Sequence, residues 1–387
     1  MTPAARVQAA ITLLDLILSG ESAEKTLTRW GRQNRYAGSK DRAAIRDWVY
    51  DALRCRRSYA AWGGAETGRA LLIAALRRQN LDPQDYFTAQ GYAPSLLAAE
   101  EGKAKAHISA AEQADLPDWL WPIWQQDLGE DAASIAENLR ARAPVFLRVN
   151  LTLTTRDEAA EALRKEKIIT ASHAFVETAL QVLEGARKIK TSQAYEAGLV
   201  ELQDASSQAS ITVLPRETAG PVLDYCAGGG GKTLALAAWL KQPIFAFDSA
   251  GERMRDLPIR AARAQAEVVL LDQPPFADGP AQNLVFCDMP CSGSGVWRRD
   301  PSGKWTLTAA RLRDLQNLQS EILVQASALV ASGGMLLYAT CSVLKRENSD
   351  QIESFIAGNP SWSCLNSKQF FPSNQGDGFY YAVLQKD

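Results

Sequence analysis

The apolar patterning of this 387-residue chain specifies an α/β fold: helices first, a small mixed module next, and a doubly wound parallel sheet from about residue 200 onward. Three observations carry this reading. Helical spacing dominates the first 140 residues, and a strand followed by a capped helix opens at Pro144. Beyond residue 200, five short apolar runs alternate with helical stretches, each run bounded by Gly, Pro or an acidic residue. A chain of this length exceeds one ordinary domain. We therefore expect three regions: 1–140, 141–200 and 201–387.

In the first region Val7, Ile11, Leu14 and Leu18 follow helical spacing and Gly20 closes the helix, with similar patterning through Ala43 to Arg57 and Ala70 to Leu76. The aromatic stretch LPDWLWPIWQQDLG from Leu116 reads as core packing rather than a cofactor box. In the second region VFLRVNLTL reads as a strand and TTRDEAAEALRKEKI as a capped helix. In the third, PVLDYCAG, IFAFD, EVVLLDQ, NLVFCDMP and GGMLLYATCS read as buried parallel strands. Ligands of such sheets bind beyond the carboxyl ends of the strands. The distinctive residues fall there: Asp224 and Cys226, Asp248, Asp272, Asp288 to Cys291, and Thr340 to Ser342.

Composition narrows the chemistry. With 46% hydrophobic and 22% charged residues the chain is neither disordered nor built for a bilayer. Its N-terminal apolar run is interrupted by Asp15 and lacks a cleavage pattern, so a cytoplasmic protein with no membrane partner is expected. Six cysteines (Cys55, Cys226, Cys287, Cys291, Cys341, Cys364) form no CxxC pair, which argues against a zinc site and a disulfide framework; no metal is expected. Neither His107 nor His173 lies near a motif, leaving Cys, Asp and Lys as the chemical groups. Residues 1 to 60 carry eleven Lys/Arg against six Asp/Glu, so an excess of five here leaves −7 for the remainder of a chain whose net charge is −2. These cations, among them Arg29, Arg32, Arg35, Lys40, Arg42, Arg46, Arg54, Arg56 and Arg57, interleave with Trp30, Tyr36, Trp48 and Tyr50, which suits phosphate contact with stacking or, equally, a solvated helix face.

The loop DYCAGGGGKT, Asp224 to Thr233, lets backbone approach a ligand closely. It is not a P-loop, because the position five before Gly231 is Cys226 rather than Gly, and it lacks the GxGxxG spacing. A nucleoside-binding sheet without a phosphate cradle remains: Asp248 would hydrogen-bond ribose hydroxyls and Asp272 the adenine amino group, positions that suit S-adenosylmethionine. In DMPCSGSGVWRRDP and YATCSVLKREN, Cys291 and Cys341 follow two strands expected to be neighbours. Either alone reads as an apolar filler. Facing one pocket, they read as a reactive pair.

The set DYCAGGGGKT, DMPCSGSGVWRRDP and ATCSVLKREN resembles the Sun family of RNA (cytosine-5)-methyltransferases, whose motifs have the form DxCAAPGGKT, DAPCSGTG and ATCS. AGSKDRAAIRDWVYDALRCRR looks like the NusB-like helical domain of the family's bacterial small-subunit rRNA branch. FLRVN looks like its RRM-like element, QDASSQ matches its pre-domain motif, and DGFYYAVL resembles its closing strand. The resemblance implies a Rossmann-like class I S-adenosylmethionine-dependent methyltransferase domain preceded by an all-α NusB-like domain and a small RRM-like α/β module. It makes Cys341 the nucleophile and Cys291 the residue that helps release product. It places Cys226, Ala227, Gly228, Gly229, Gly230, Gly231, Lys232, Asp248, Asp272 and Asp288 around the methyl donor. Two departures stand out: Gly228-Gly229 replaces the family's Ala-Pro, and PSGKW stands where PDIKW is frequent.

The expected chemistry is methyl transfer from S-adenosylmethionine to carbon 5 of a cytosine in RNA, with 16S rRNA first and tRNA second as substrate, by a monomer. A Cys341 thiolate adds to carbon 6, Asp288 holds the nitrogen 3 proton, and Cys291 serves as base for release. Such a base must be unstacked, so the RNA is single-stranded or locally opened. Arg298, Arg299, Lys304 and Trp305 either line the entry or form a surface loop, and charge reversal at Arg54, Arg56 and Arg57 is expected to weaken RNA binding. The rival classes are a P-loop-like nucleotide-binding protein, which needs Mg²⁺, and a non-catalytic RNA-binding factor, which leaves Cys341 unreactive.

Overall fold

The computed structural model describes residues 1–218, 220–273 and 281–387. It divides into two compact units, Met1–Arg142 with Trp297–Leu307, and Ala143–Val296 with Thr308–Asp387. Among the described residues no helix is long and apolar enough to cross a membrane.

The first unit is helical. Pro3–Leu18 starts where the Thr2 side chain accepts the Ala5 N–H, and it buries Val7, Ile11 and Leu14, three of the four positions its spacing singled out. They pack with Ile45, Val49 and Leu53 of Ser39–Arg54 and with Leu71 to Leu76 of Gly68–Arg78. Trp124 is fully buried, donates from Nε1 to the Ala132 carbonyl at 2.9 Å and stacks on Trp297 at 5.9 Å, so the aromatic stretch is core.

The excursion Trp297–Leu307 belongs to this unit, which corrects one expectation. Lys304 is buried, not at an RNA entry. Its Nζ donates to the Arg54 carbonyl at 3.0 Å, and Trp305 Nε1 donates to the Leu53 carbonyl at 2.7 Å. Burial pulls the Lys304 ammonium down to about 8, with the Asp115 charge opposing. Arg54, Arg56 and Arg57 are also engaged: Arg54 with the Arg140 carbonyl at 3.2 Å, Arg56 with Glu66 at 2.5 Å, and Arg57 with both oxygens of Asp118 at 2.7 and 3.0 Å.

In the second unit, β1 (Val145–Val149), β2 (Ile169–Ser172), β3 (Ala179–Glu184) and β4 (Val200–Leu202) form an antiparallel sheet in the order β2-β3-β1-β4. The helix Arg156–Lys165 opens with a Thr155–Glu158 capping box. The larger sheet contains β5 (Val222–Asp224), β6 (Ile244–Ala246), β7 (Val268–Leu270), β8 (Gln282–Asp288), β9 (Val330–Thr340), β10 (Trp362–Phe370) and β11 (Phe379–Lys386). Its order is β10-β11-β9-β8-β5-β6-β7. The five apolar runs form β5 to β9, all parallel, and β11 inserts antiparallel beside β9. The edge strand β10 was not anticipated, because most of its side chains face solvent and leave no apolar run.

The small sheet positions the large one. Arg148 of β1 is buried and donates to the Gln203 side chain at 2.5 Å and to the Gly231 carbonyl at 2.6 Å, while Asn150 Nδ2 reaches the Ala264 carbonyl at 2.8 Å. Arg148 thereby holds the first residue of the helix Gly231–Leu240, directly after the glycine loop.

Candidate active site

Parallel pairing places β5, β8 and β9 side by side, with Asp224 opposite Phe286 and Asp288 opposite Ala339, so the three carboxyl ends open on one face. Cys341 follows β9 directly and Cys291 lies three residues beyond β8. Their sulfurs are 3.4 Å apart and both residues are partly exposed. The Cys341 contact first, then burial and the charges of Cys341 and Glu347, hold the Cys291 thiol well above the usual cysteine range. Beside the pair, Lys232 Nζ contacts Asp288 Oδ2 at 2.7 Å. Burial alone would lower the Lys232 ammonium, but the Asp288 charge and hydrogen bond outweigh it, and the Cys341 charge adds to them, so its pKa is raised.

Underneath is Asp224, fully buried, with Oδ2 accepting from Thr233 Oγ1 at 2.7 Å. Burial raises its carboxyl to about 7, with Thr233 opposing and Asp288 adding to the rise. Cys226 and Cys287 are pushed up by burial and by these same carboxylates, which keeps them as thiols.

A residue that sequence reasoning passed over organises the pair. Glu347, at 0% exposure, accepts the Ser292 N–H at 2.8 Å, the Ser292 and Ser342 hydroxyls at 2.5 Å each, and Gln319 Nε2 at 3.2 Å. Ser292 and Ser342 are the residues immediately after the two cysteines. One buried carboxylate thus fastens both cysteine loops and the helix Ala309–Ala328 that supplies Gln319. Asn348 adds to this, accepting from Thr340 Oγ1 at 2.6 Å and donating to the Ser342 carbonyl at 3.0 Å. The only sequence signal was the acid-amide pair ending KREN.

The glycine loop turns under the neighbouring strand. Gly228 and Gly230 take φ of +51° and +78°, and a Cβ on Gly230 would stand 2.1 Å from Leu257 Cδ1. Asp248, after β6, accepts the Gly228 N–H at 2.8 Å, the Ala250 N–H at 2.9 Å and Arg253 Nη1 at 3.1 Å. Arg260 donates to the Gly229 carbonyl. The Gly228-Gly229 pair is therefore held by two arginines and a carboxylate. Asp248 and Asp272 line one open cleft of about 560 Å³ with Phe247, Met254, Pro258 and Leu271, which is the size of a small-molecule site. Two carboxylates at successive strand ends above apolar walls are the chemistry that fits a nucleoside.

Residues 211–385 match the family model described as 16S rRNA methyltransferase RsmB/F, and residues 116–190 match the RsmF/B-like ferredoxin-like domain. Among curated proteins, the ribosomal RNA small subunit methyltransferase B of Vibrio vulnificus is 32% identical over 283 residues, covering 70% of this chain and 66% of the relative, just under two thirds of its length. Its Escherichia coli O6:K15:H31 counterpart is 34% identical over 306 residues, covering 74% of this chain and 70% of the relative. Of the solved structures, PH0851 superposes with a TM-score of 0.78 at 22% identity over 100% of this chain and 99% of that one. NSun6 from Pyrococcus horikoshii, solved with SFG, superposes with a TM-score of 0.61 at 17% identity over 70% and 98%. These two likenesses are of fold. Sequence identity over more than two thirds of the Escherichia coli protein and the two family matches agree with the cysteine geometry: the chain belongs to the 16S rRNA methyltransferase RsmB/F family.

Proposed function

We propose that the protein transfers a methyl group from S-adenosylmethionine to carbon 5 of a cytosine in 16S rRNA, through a covalent bond between Cys341 and carbon 6. The observation that carries this is the 3.4 Å approach of Cys341 and Cys291 beside the Lys232–Asp288 pair. The Asp248–Asp272 cleft and the glycine loop, Cys226 to Lys232, would hold the donor, which supplies an electrophilic methyl on sulfur.

The chain's own residues do the rest. Cys341, directly after β9, is the sulfur that adds, and Cys291, its thiol raised by the contact with Cys341, is held for release. Its electron pair forms the bond to carbon 6 and the ring's double-bond pair becomes available at carbon 5. The Lys232 ammonium keeps Asp288 fixed by its 2.7 Å contact. Asp288 is the carboxyl that holds a proton at nitrogen 3 as negative charge develops on the ring. Once Cys341 is a thioether, the contact that most strongly raised Cys291 is gone. Cys291 then gives its own proton to solvent and, as a thiolate, takes the carbon 5 proton; the electron pair of that C–H bond re-forms the carbon 5–carbon 6 double bond and the Cys341 sulfur leaves with its bonding pair.

The test is adduct trapping on a denaturing gel with 16S rRNA and S-adenosylmethionine. Cys291→Ala is expected to accumulate a protein–RNA complex that Cys341→Ala does not form. If Cys341→Ala forms the same complex, the assignment of the nucleophile is wrong.

A further inference from the structure

Away from the cysteines, the second unit contains a cavity of about 350 Å³ walled by the β2–β3 loop, one side of the helix Ala205–Thr212, the end of β10 and the turn Ser373–Gly376. Its size is that of a small-ligand site. Phe175 stands at its edge 85% exposed, Phe371 is 37% exposed, and Phe370 lines the wall with Lys368 Nζ 4.9 Å from its ring centroid. Large aromatic surface left in water is unfavourable and marks a contact site when several rings converge. Lys368 is the one charged side chain lining the cavity among the described residues.

The cavity is braced from both sides. His173 Nδ1 accepts the Phe175 N–H at 3.2 Å and the Val176 N–H at 3.1 Å, which leaves the proton on Nε2, 3.0 Å from the Gln375 carbonyl. One neutral imidazole therefore ties the loop that carries Phe175 to the opposite wall. Gly376 lets that wall close on the helix, since a Cβ there would stand 2.3 Å from Ser206 Oγ. Two residues on, Gly378 donates to the Gly295 carbonyl at 3.0 Å and Gly295 donates to the Cys341 carbonyl at 2.9 Å. The wall of the cavity is thus continuous, through two backbone hydrogen bonds, with the residue proposed as nucleophile.

We propose that this cavity is a subsite for one unpaired nucleotide of the substrate RNA, its base against Phe175 and Phe371 and its phosphate at Lys368. Aromatic faces accept any base, and a rim cation with no carboxylate among the described lining residues favours a phosphate-bearing strand over a cationic ligand. The Ser206 and Thr212 side chains at the wall supply polar contact for a base edge. The inference rests on the reading of RNA as substrate and adds where a second nucleotide is held while the target base is out of the stack.

The test uses the full chain and a short unstructured uridine oligonucleotide. Phe175→Ala, at an exposed position, is expected to weaken oligonucleotide affinity about tenfold, as loss of one base stack does. Lys368→Ala is expected to weaken it about threefold and to flatten its salt dependence. Both should raise KM for 16S rRNA without changing kcat or S-adenosylmethionine binding. Phe175→Trp should retain affinity, with its emission changing as the oligonucleotide saturates. Equal affinity in wild type and Phe175→Ala, or a Phe175→Trp emission indifferent to bound oligonucleotide, overturns the subsite. If emission responds but no RNA is methylated, the subsite stands and the methyltransferase reading falls.

Discussion

Glu347 shows how a residue remote from the chemistry can set it. A fully buried carboxylate survives because four donors surround it, and three of those donors belong to the serines next to the two cysteines. Glu347→Gln replaces an acceptor with an amide donor facing two hydroxyls, which loosens both cysteine loops. We predict a fall in kcat of tenfold or more, a loss of about 1–3 kcal/mol in stability, and slower disulfide formation between Cys291 and Cys341 under mild oxidation. Binding of S-adenosylmethionine should not change. Oxidation at the wild-type rate would show that Glu347 does not set the sulfur separation. The two cysteines were legible because each ends an apolar strand run with a thiol where an inert residue would serve. Glu347 was not, because an acid in VLKREN reads as part of a solvated charge run, and its partners Ser292 and Gln319 are 55 and 28 residues away.

At the scale of elements, the cysteine loops work as a unit because the chain approaches itself without side chains. A Cβ on Gly295 would lie 2.2 Å from the Gly378 carbonyl, so the loop after β8 and the turn before β11 meet backbone to backbone. Gly295→Ala must separate them, and since Gly295 also holds the Cys341 carbonyl, the nucleophile shifts with it. We predict that this variant folds, keeps S-adenosylmethionine affinity, and loses methyl transfer about a hundredfold, a misplacement effect. Unchanged kcat would show the approach to be incidental. Strands β5 to β9 were visible in sequence because each leaves an apolar run, including the edge strand β7, whose Val269 and Leu270 are 39% and 38% exposed. Edge strand β10, with its solvent-facing side chains, leaves none. The three-dimensional role of the glycine loop was likewise hidden: its hold by Arg253 and Arg260 depends on residues more than twenty positions away.

At the scale of the molecule, basic residues sort into two classes that composition alone cannot separate. Arg54, Arg56 and Arg57 hold the helical unit together through partners up to 86 residues distant. Arg32, Arg35, Lys40 and Arg46 are exposed, alongside Tyr36 at 72% exposure. Reversal of Arg32, Arg35 and Lys40 is predicted to weaken 16S rRNA binding and to reduce the slope of log affinity against log salt by about one unit per lost phosphate contact. The melting temperature should stay within a degree or two. Arg57→Glu, by contrast, should lower melting temperature before it alters the salt slope. Anisotropy titrations across salt concentrations distinguish the two classes.

The whole account turns on which atom of which RNA receives the methyl group. The direct measurement is transfer from tritiated S-adenosylmethionine into 16S rRNA and into tRNA, for wild type and Cys341→Ala, followed by nucleoside analysis of the labelled RNA. The account predicts 5-methylcytosine in 16S rRNA from the wild type alone. Label in any other nucleoside, or equal incorporation by Cys341→Ala, contradicts it.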